Sequence, residues 1–166
     1  MTKTRVLYVL HNHPTLFPGG AEQYAIELFD ALRGSDDIEP VLLARIGRTS
    51  VPDGNRPGTP FMTVDGAPDE YFLFTESEPT YDYFFGTSAD KSLYTTYFAD
   101  FLEIYKPDVV HFQHTLHMGY DLVSTVRRVL PDAPILYTLH EYLPICHRQG
   151  QMLRTCLLYT SDAADE

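Results

Sequence analysis

Three stretches of the chain gather residues whose types and spacing could do chemistry. Pro18-Gly19-Gly20-Ala21-Glu22 follows a short apolar run and opens a helical pattern. Glycines let a backbone approach a ligand closely, and the free N–H groups of a helix start favour phosphate or developing negative charge. The spacing Gly-x-Gly-x-x-Gly is absent, so this is not a dinucleotide fingerprint. From spacing alone the two glycines could equally serve only to turn the chain. His140-Glu141 stands at the end of the fourth apolar run. A neutral imidazole there could hydrogen-bond a sugar hydroxyl or orient a carbonyl, and an ordinary pKa near ~6.5 keeps both protonation states accessible. The plainer alternative is a histidine satisfied by a neighbouring loop, with Glu141 as the charge of a helix start, which sequence alone favours for that carboxylate. The third stretch is His111-Phe112-Gln113-His114, with His117 beyond it. Strand alternation turns His111 inward as a core residue and leaves His114 at the strand end, facing a cleft.

His11-Asn12-His13 closes the first apolar run, and a His-x-His pair in that place can begin a metal site. His114 and His140 could supply further ligands, so a metal-dependent hydrolase competes with any reading built on the glycines. A non-catalytic α/β binding module is the other alternative. No Gly-x-Ser-x-Gly elbow and no Gly-Lys-Ser/Thr phosphate loop occurs. Cys146, in a loop after Pro144, reads as a packing residue rather than a reactive thiol.

The elements that must position these groups follow from periodicity. Arg5–Leu10 is an apolar run rich in β-formers, as expected of a strand covered on both faces. A helix follows, with Ala21, Tyr24, Ala25, Leu28, Phe29 and Leu32 on one stripe and Gly34 placed to end it. Residues 40–46 form a second strand. The stretch 47–89 is rich in Pro, Gly, Asp, Thr and aromatics, with short strands possible at 61–64 and 71–74. A connection that long is usually functional or mobile. Helical period returns over 90–105, with Leu93, Tyr97, Phe101 and Ile104 on one face, Asp90 as the cap and Pro107 as the stop. Strands at 108–113 and 135–139 flank a helix over about 119–130. Strands alternating with helices predict a parallel α/β sheet, Rossmann-like, whose site lies beyond the carboxyl ends of the strands. Those ends carry His11, His13, His114 and His140. The last strand should leave the sheet with an uncovered edge.

Composition narrows the classes. The chain has 166 residues, 44% apolar and 21% charged, which suits one globular core. A formal charge of −11 argues against nucleic acid and anionic lipid as partners. No apolar run approaches the roughly 18 to 20 residues needed to cross a bilayer, and no leader pattern precedes the first strand. A cytoplasmic protein is the expectation, with contact at the inner membrane face left open. Cys156–Glu166 continues no pattern and resembles the translation of a transposase sequencing adapter. It is read as a non-native tail behind a domain spanning residues 1–155, with a genuine polar tail as the alternative.

Taken together, the first strand leading to Pro18-Gly19-Gly20-Ala21-Glu22, the run Pro107-Asp108-Val109-Val110-His111 into Gln113-His114, and Tyr137-Thr138-Leu139-His140-Glu141-Tyr142-Leu143-Pro144-Ile145-Cys146 resemble the N-terminal domain of the family-4 retaining glycosyltransferases. Gly150-Gln151-Met152-Leu153 is similar to the loop that follows in one branch of that family. The resemblance implies one lobe of a two-lobed GT-B enzyme, the acceptor-side lobe, with the donor lobe outside this chain and no turnover by this chain alone. It implies transfer from a UDP- or GDP-linked sugar to a sugar, lipid-linked or small-molecule acceptor, with retained configuration, no cofactor and no obligatory metal. On it, Gly19 and Gly20 would lie against the donor diphosphate and His140 would contact the transferred sugar. His114 and Glu141 would line the cleft on the acceptor side. The histidine-rich loop 11–13 exceeds what the family requires.

Overall fold

A computed structural model describes residues 2–47, 50, 60–76, 78–141, 144, 152–155 and 158–161. The first strand, β1 (Thr4–Leu10), is buried continuously from Val6 onward because both sheet faces above it are covered. Its neighbours are β2 (Ile38–Ile46) and β5 (Val109–Phe112), both parallel to it. Beyond β2 comes β4 (Ala67–Phe74), parallel, and then β3 (Phe61–Val64), which returns antiparallel at the edge. The opposite edge is β6 (Ile135–Tyr137), parallel to β5. The six strands therefore run β3-β4-β2-β1-β5-β6, and the protein has a Rossmann-like α/β fold. The segments 61–64 and 71–74 of the long connection are thus members of the main sheet. As expected, the last parallel strand is an edge, and its Leu136 is half exposed.

Alternation along the strands sorts the core into two layers. Leu7, Val9, Val110 and Phe112 meet Phe98 and Leu102 on one face, together with Leu122 and Val126 of α3 (Asp121–Val129). Val6, Tyr8 and Leu10 meet Ala25 and Phe29 of α1 (Gly20–Arg33) on the other. The stripe expected on α1 is partly corrected. Glu22, Ala25 and Phe29 are its buried residues, while Tyr24 is 48% exposed. Gly34 ends α1 as expected, but with φ −80, so nothing in its backbone requires glycine.

The helix before β5 departs from the expected face. Asp90 does cap it, since Leu93 N–H donates to Asp90 Oδ1 at 3.1 Å. Leu93–Phe98 then winds as a π-helix before α2 (Ala99–Tyr105). A π turn spends an extra residue, which rotates everything downstream by about 100°. The inward positions become Leu93, Phe98 and Leu102, while Tyr97 and Ile104 are 48% and 84% exposed. Phe101 keeps a partly buried place by stacking on Phe61 at 4.9 Å. Lys106, at φ 52, breaks the helix ahead of Pro107.

Residues at the chain end form a separate antiparallel pair, β7 (Met152–Thr155) with β8 (Leu158–Ser161). The expected domain limit at residue 155 falls between these two strands. No helix among the described residues is long and apolar enough to cross a membrane.

The π turn makes a sharp test. Phe98→Ala should cost about 3–5 kcal/mol of stability in urea unfolding, as large-to-small changes at closed core sites do. Ile104→Ala should cost under about 0.5 kcal/mol, as surface changes do. A reversed order would mean that the unbroken 3.6-residue period had prevailed.

Candidate functional site

In an open parallel sheet the strand order reverses at one place, and a crevice opens there beyond the carboxyl ends. Here the reversal lies between β1 and β5. The pairing of Val9 with Phe112, carried two residues further, sets His11 opposite His114, and their ring centroids are 4.2 Å apart. The loop from β1 to α1 brings the glycines to the same end. The segment after β6 brings His140 and Glu141, since Thr138 N–H bonds Phe112 O and holds that strand exit beside β5.

Each imidazole meets an acceptor. His11 Nε2 lies 3.1 Å from Glu22 Oε1, and Asn12 Nδ2 donates to the same oxygen at 3.2 Å. His114 Nδ1 accepts the Leu116 N–H at 3.0 Å, so its Nε2–H points to Glu141 Oε1 at 2.9 Å. His140 Nε2 donates to Gln113 Oε1 at 3.1 Å, and the Gln113 amide nitrogen faces the His111 ring. His111 is half-buried and satisfied by Thr138 Oγ1 at 2.8 Å, consistent with a structural residue.

Burial pushes the His11 pKa down to about 3, aided by the nearby His114, His117, Arg45 and His140. Burial also lowers His114, against the pull of Glu141, and lowers His140, against Glu22 and Glu141. His111 is lowered by burial and then by His140. The imidazoles of the cluster are thereby biased toward the uncharged form, beside the side chains of Glu22 and Glu141.

The two glycines differ. A Cβ on Gly19 would stand 2.4 Å from Glu22 Oε2, so the missing side chain makes room for that carboxylate. A Cβ on Gly20 would meet nothing within 4 Å, which leaves the helix start open on that side. Tyr24, one turn along α1 from Gly20, sets its ring edge-on to His140 at 5.3 Å. His140, His114 and Glu141 stand together at this end of the sheet, and Tyr24 brings the first turns of α1 to His140.

His13 does not join them. Its Nε2 bonds Glu70 Oε2 at 2.7 Å and its Nδ1 bonds Thr15 Oγ1 at 2.7 Å, which turns the ring toward β4. Among the described residues no three His, Cys, Asp or Glu side chains are grouped to hold a metal ion. The four strand-end histidines do not form one ligand set. Cys146, Tyr142, Leu143 and the Gly150-Gln151 stretch lie outside the described residues.

Sequence reasoning passed over Glu22, Tyr24, Asn12 and Gln113 as site members. A signal for Glu22 was present: it stands at i relative to Ala25 (i+3) and Phe29 (i+7), a carboxylate on the buried stripe of its own helix. Gln113 shares strand parity with His111, which puts both on the α1 side of the sheet. Compared with known protein families, curated proteins and solved structures, the chain matches none.

Two outcomes follow. Gly19→Ala should lower the melting temperature by displacing Glu22, whereas Gly20→Ala, at an open first-turn position, should hold or raise it. Equal losses from both would contradict the packing described. The second concerns pH. A histidine whose folded pKa is depressed binds its proton in the unfolded chain first, so its contribution is whole above about 6.5 and declines as pH falls toward the folded value. Stability should therefore drop between about pH 6.5 and 5 by at most about 1.4 kcal/mol per pH unit for each such proton. His11→Asn should flatten that slope, and an unchanged slope in urea unfolding would count against a neutral, buried His11.

Proposed function

We propose that the chain is the acceptor-side lobe of a retaining glycosyltransferase of GT-B architecture, which moves a sugar from a nucleotide-linked donor to an acceptor without a cofactor. The observation that supports this best is the meeting of α1 with the exit of β6. The start of α1 at Gly20 is open, and Tyr24, one turn along, sets its ring against His140 at 5.3 Å. Both elements lie at the carboxyl ends of the strands, where the order of a Rossmann-like sheet reverses.

On this reading the donor diphosphate, held mainly by a second lobe outside this chain, rests against the bare amides at Gly20. Amides fixed before the reaction stabilise charge as the leaving group departs, without having to reorganise. Gly19 contributes by letting Glu22 fold beneath the loop, which fixes where the amide of Gly20 sits. His140, with its Nε2–H committed to Gln113, offers the lone pair of Nδ1 to a sugar hydroxyl. His114 holds Glu141 at the acceptor side. Transfer consists of breaking the bond from sugar to phosphate and forming the new glycosidic bond on the same face. The acceptor proton leaves on a phosphate oxygen, so no protein base is required. The working place is cytoplasmic, at the inner membrane face where the acceptor is lipid-linked.

The test is transfer by the protein carrying its second lobe, assayed against UDP- and GDP-hexoses, with the anomeric configuration of the product read by NMR. Gly20→Val and His140→Ala should each lower kcat/KM by about 100-fold or more while leaving the melt intact, the scale of losing one preorganised contact at the reacting centre. No transfer and no donor hydrolysis with any nucleotide-sugar, or full activity in both variants, would overturn the reading.

A further inference from the structure

The hydrogen-bond polarity of the cleft points to a ligand class. We propose that this cleft binds an uncharged, hydroxyl-rich group, such as a neutral glycoside, and discriminates against phosphorylated and carboxylated sugars. The proposal rests on the transfer reading only in calling that ligand the acceptor.

The argument begins with donors. Of the imidazoles at this end of the sheet, three around His140 give their N–H to a protein oxygen: His11 to Glu22, His114 to Glu141, His140 to Gln113. The one free ring nitrogen of His114 is in turn taken by the Leu116 N–H. Apart from the open amides at the start of α1, what the described side chains leave for a ligand is a pair of acceptors. His140 Nδ1 and Glu141 Oε2 accept no hydrogen bond from any described residue. Lone pairs require O–H or N–H partners, and a polyol supplies several at once.

Charge points the same way. The Glu22 side chain is only 6% exposed, and its Oε2 lies against Gly19 with no hydrogen bond from a described residue. His11 Nδ1 is likewise buried without a partner. With His11 and His114 ring to ring at 4.2 Å, two positive charges there would repel one another, which disfavours a protonated imidazole beside either glutamate. Arg45, which acts on His11, is buried in β2 and bonded to Thr75 Oγ1. No described Lys or Arg forms an ion pair with Glu22 or Glu141. An anion entering beside Glu141 and His140, rather than at the open amides of α1, would meet a carboxylate and lone pairs where it needs donors. A neutral polyol meets neither penalty. Tyr24, half exposed beside His140, adds an aromatic surface against which the apolar face of a sugar ring can lie.

The experiment uses the whole chain with 15N-labelled histidine, titrated at constant ionic strength. Methyl β-D-glucopyranoside and maltose are the neutral probes, and D-glucuronate and glucose 6-phosphate are the anionic ones. The ring resonances of His140 and His114 should move with a neutral probe, and the anionic sugars should bind at least about tenfold more weakly. Glu141→Gln removes charge from an exposed position and should narrow that gap to about threefold or less. Anionic sugars that bind as tightly as the neutral ones, or silence of both rings toward both neutral probes, would overturn the proposal. Neutral binding here combined with no transfer in the preceding assay would sink the transfer reading alone. Transfer to a phosphorylated acceptor would sink this inference alone.

Discussion

The parallel pairing of β1 with β5 is the constraint from which the rest of the site descends. Its register sets His11 opposite His114 two residues past the last paired positions, and the rings touch at 4.2 Å. In water that proximity would matter little. Under the cover of the loops, neither ring readily carries a proton, and each N–H must find an oxygen. Glu22 and Glu141 provide those oxygens, one from the start of α1 and one from the exit of β6. A strand register thereby decides which side chains on two other elements face inward.

Glu22 shows how local and tertiary terms combine. A carboxylate in the first turn of a helix is favoured by the helix dipole. Burying it is costly unless hydrogen bonds replace water, and Asn12 and His11 do so at Oε1. The other oxygen occupies the space that a Cβ on Gly19 would need. Gly19 is therefore glycine for packing, while Gly20 is open to a visitor. Two adjacent glycines that look like one device divide into two.

The opposite end of α1 holds the same loop from behind. Arg33 lies over Phe29 at 4.4 Å and bonds both Asp69 and Glu70. Glu70 in turn receives His13, which also sits edge-on to Phe72 at 5.1 Å. This chain of contacts, partly exposed at Asp69 and buried at His13, ties loop 11–19 to β4. A site on loops needs such a rigid backing. The long connection between β2 and the π-helix, by supplying β3 and β4, is part of that backing rather than an appendage.

The alternation of apolar strands and helices was written in the sequence, because burial on both faces demands unbroken runs such as Val6–Leu10 and amphipathic stripes such as Ala25 and Phe29. It also placed His11, His114 and His140 at one end of the sheet, since a parallel sheet sends all its strand exits the same way. It did not reveal the π turn, because one extra residue in a helix is set by the packing of Phe98 and Leu102 against β1 and β5, not by local preference. Nor did it separate His13 from its neighbours: the pairing with Glu70 joins residues 57 positions apart, and no local pattern carries a contact of that span. The sequence by itself determined which residues could meet. Only the tertiary structure decided which nitrogen faces which oxygen, because hydrogen-bond polarity depends on distances and burial that exist only once distant segments have packed.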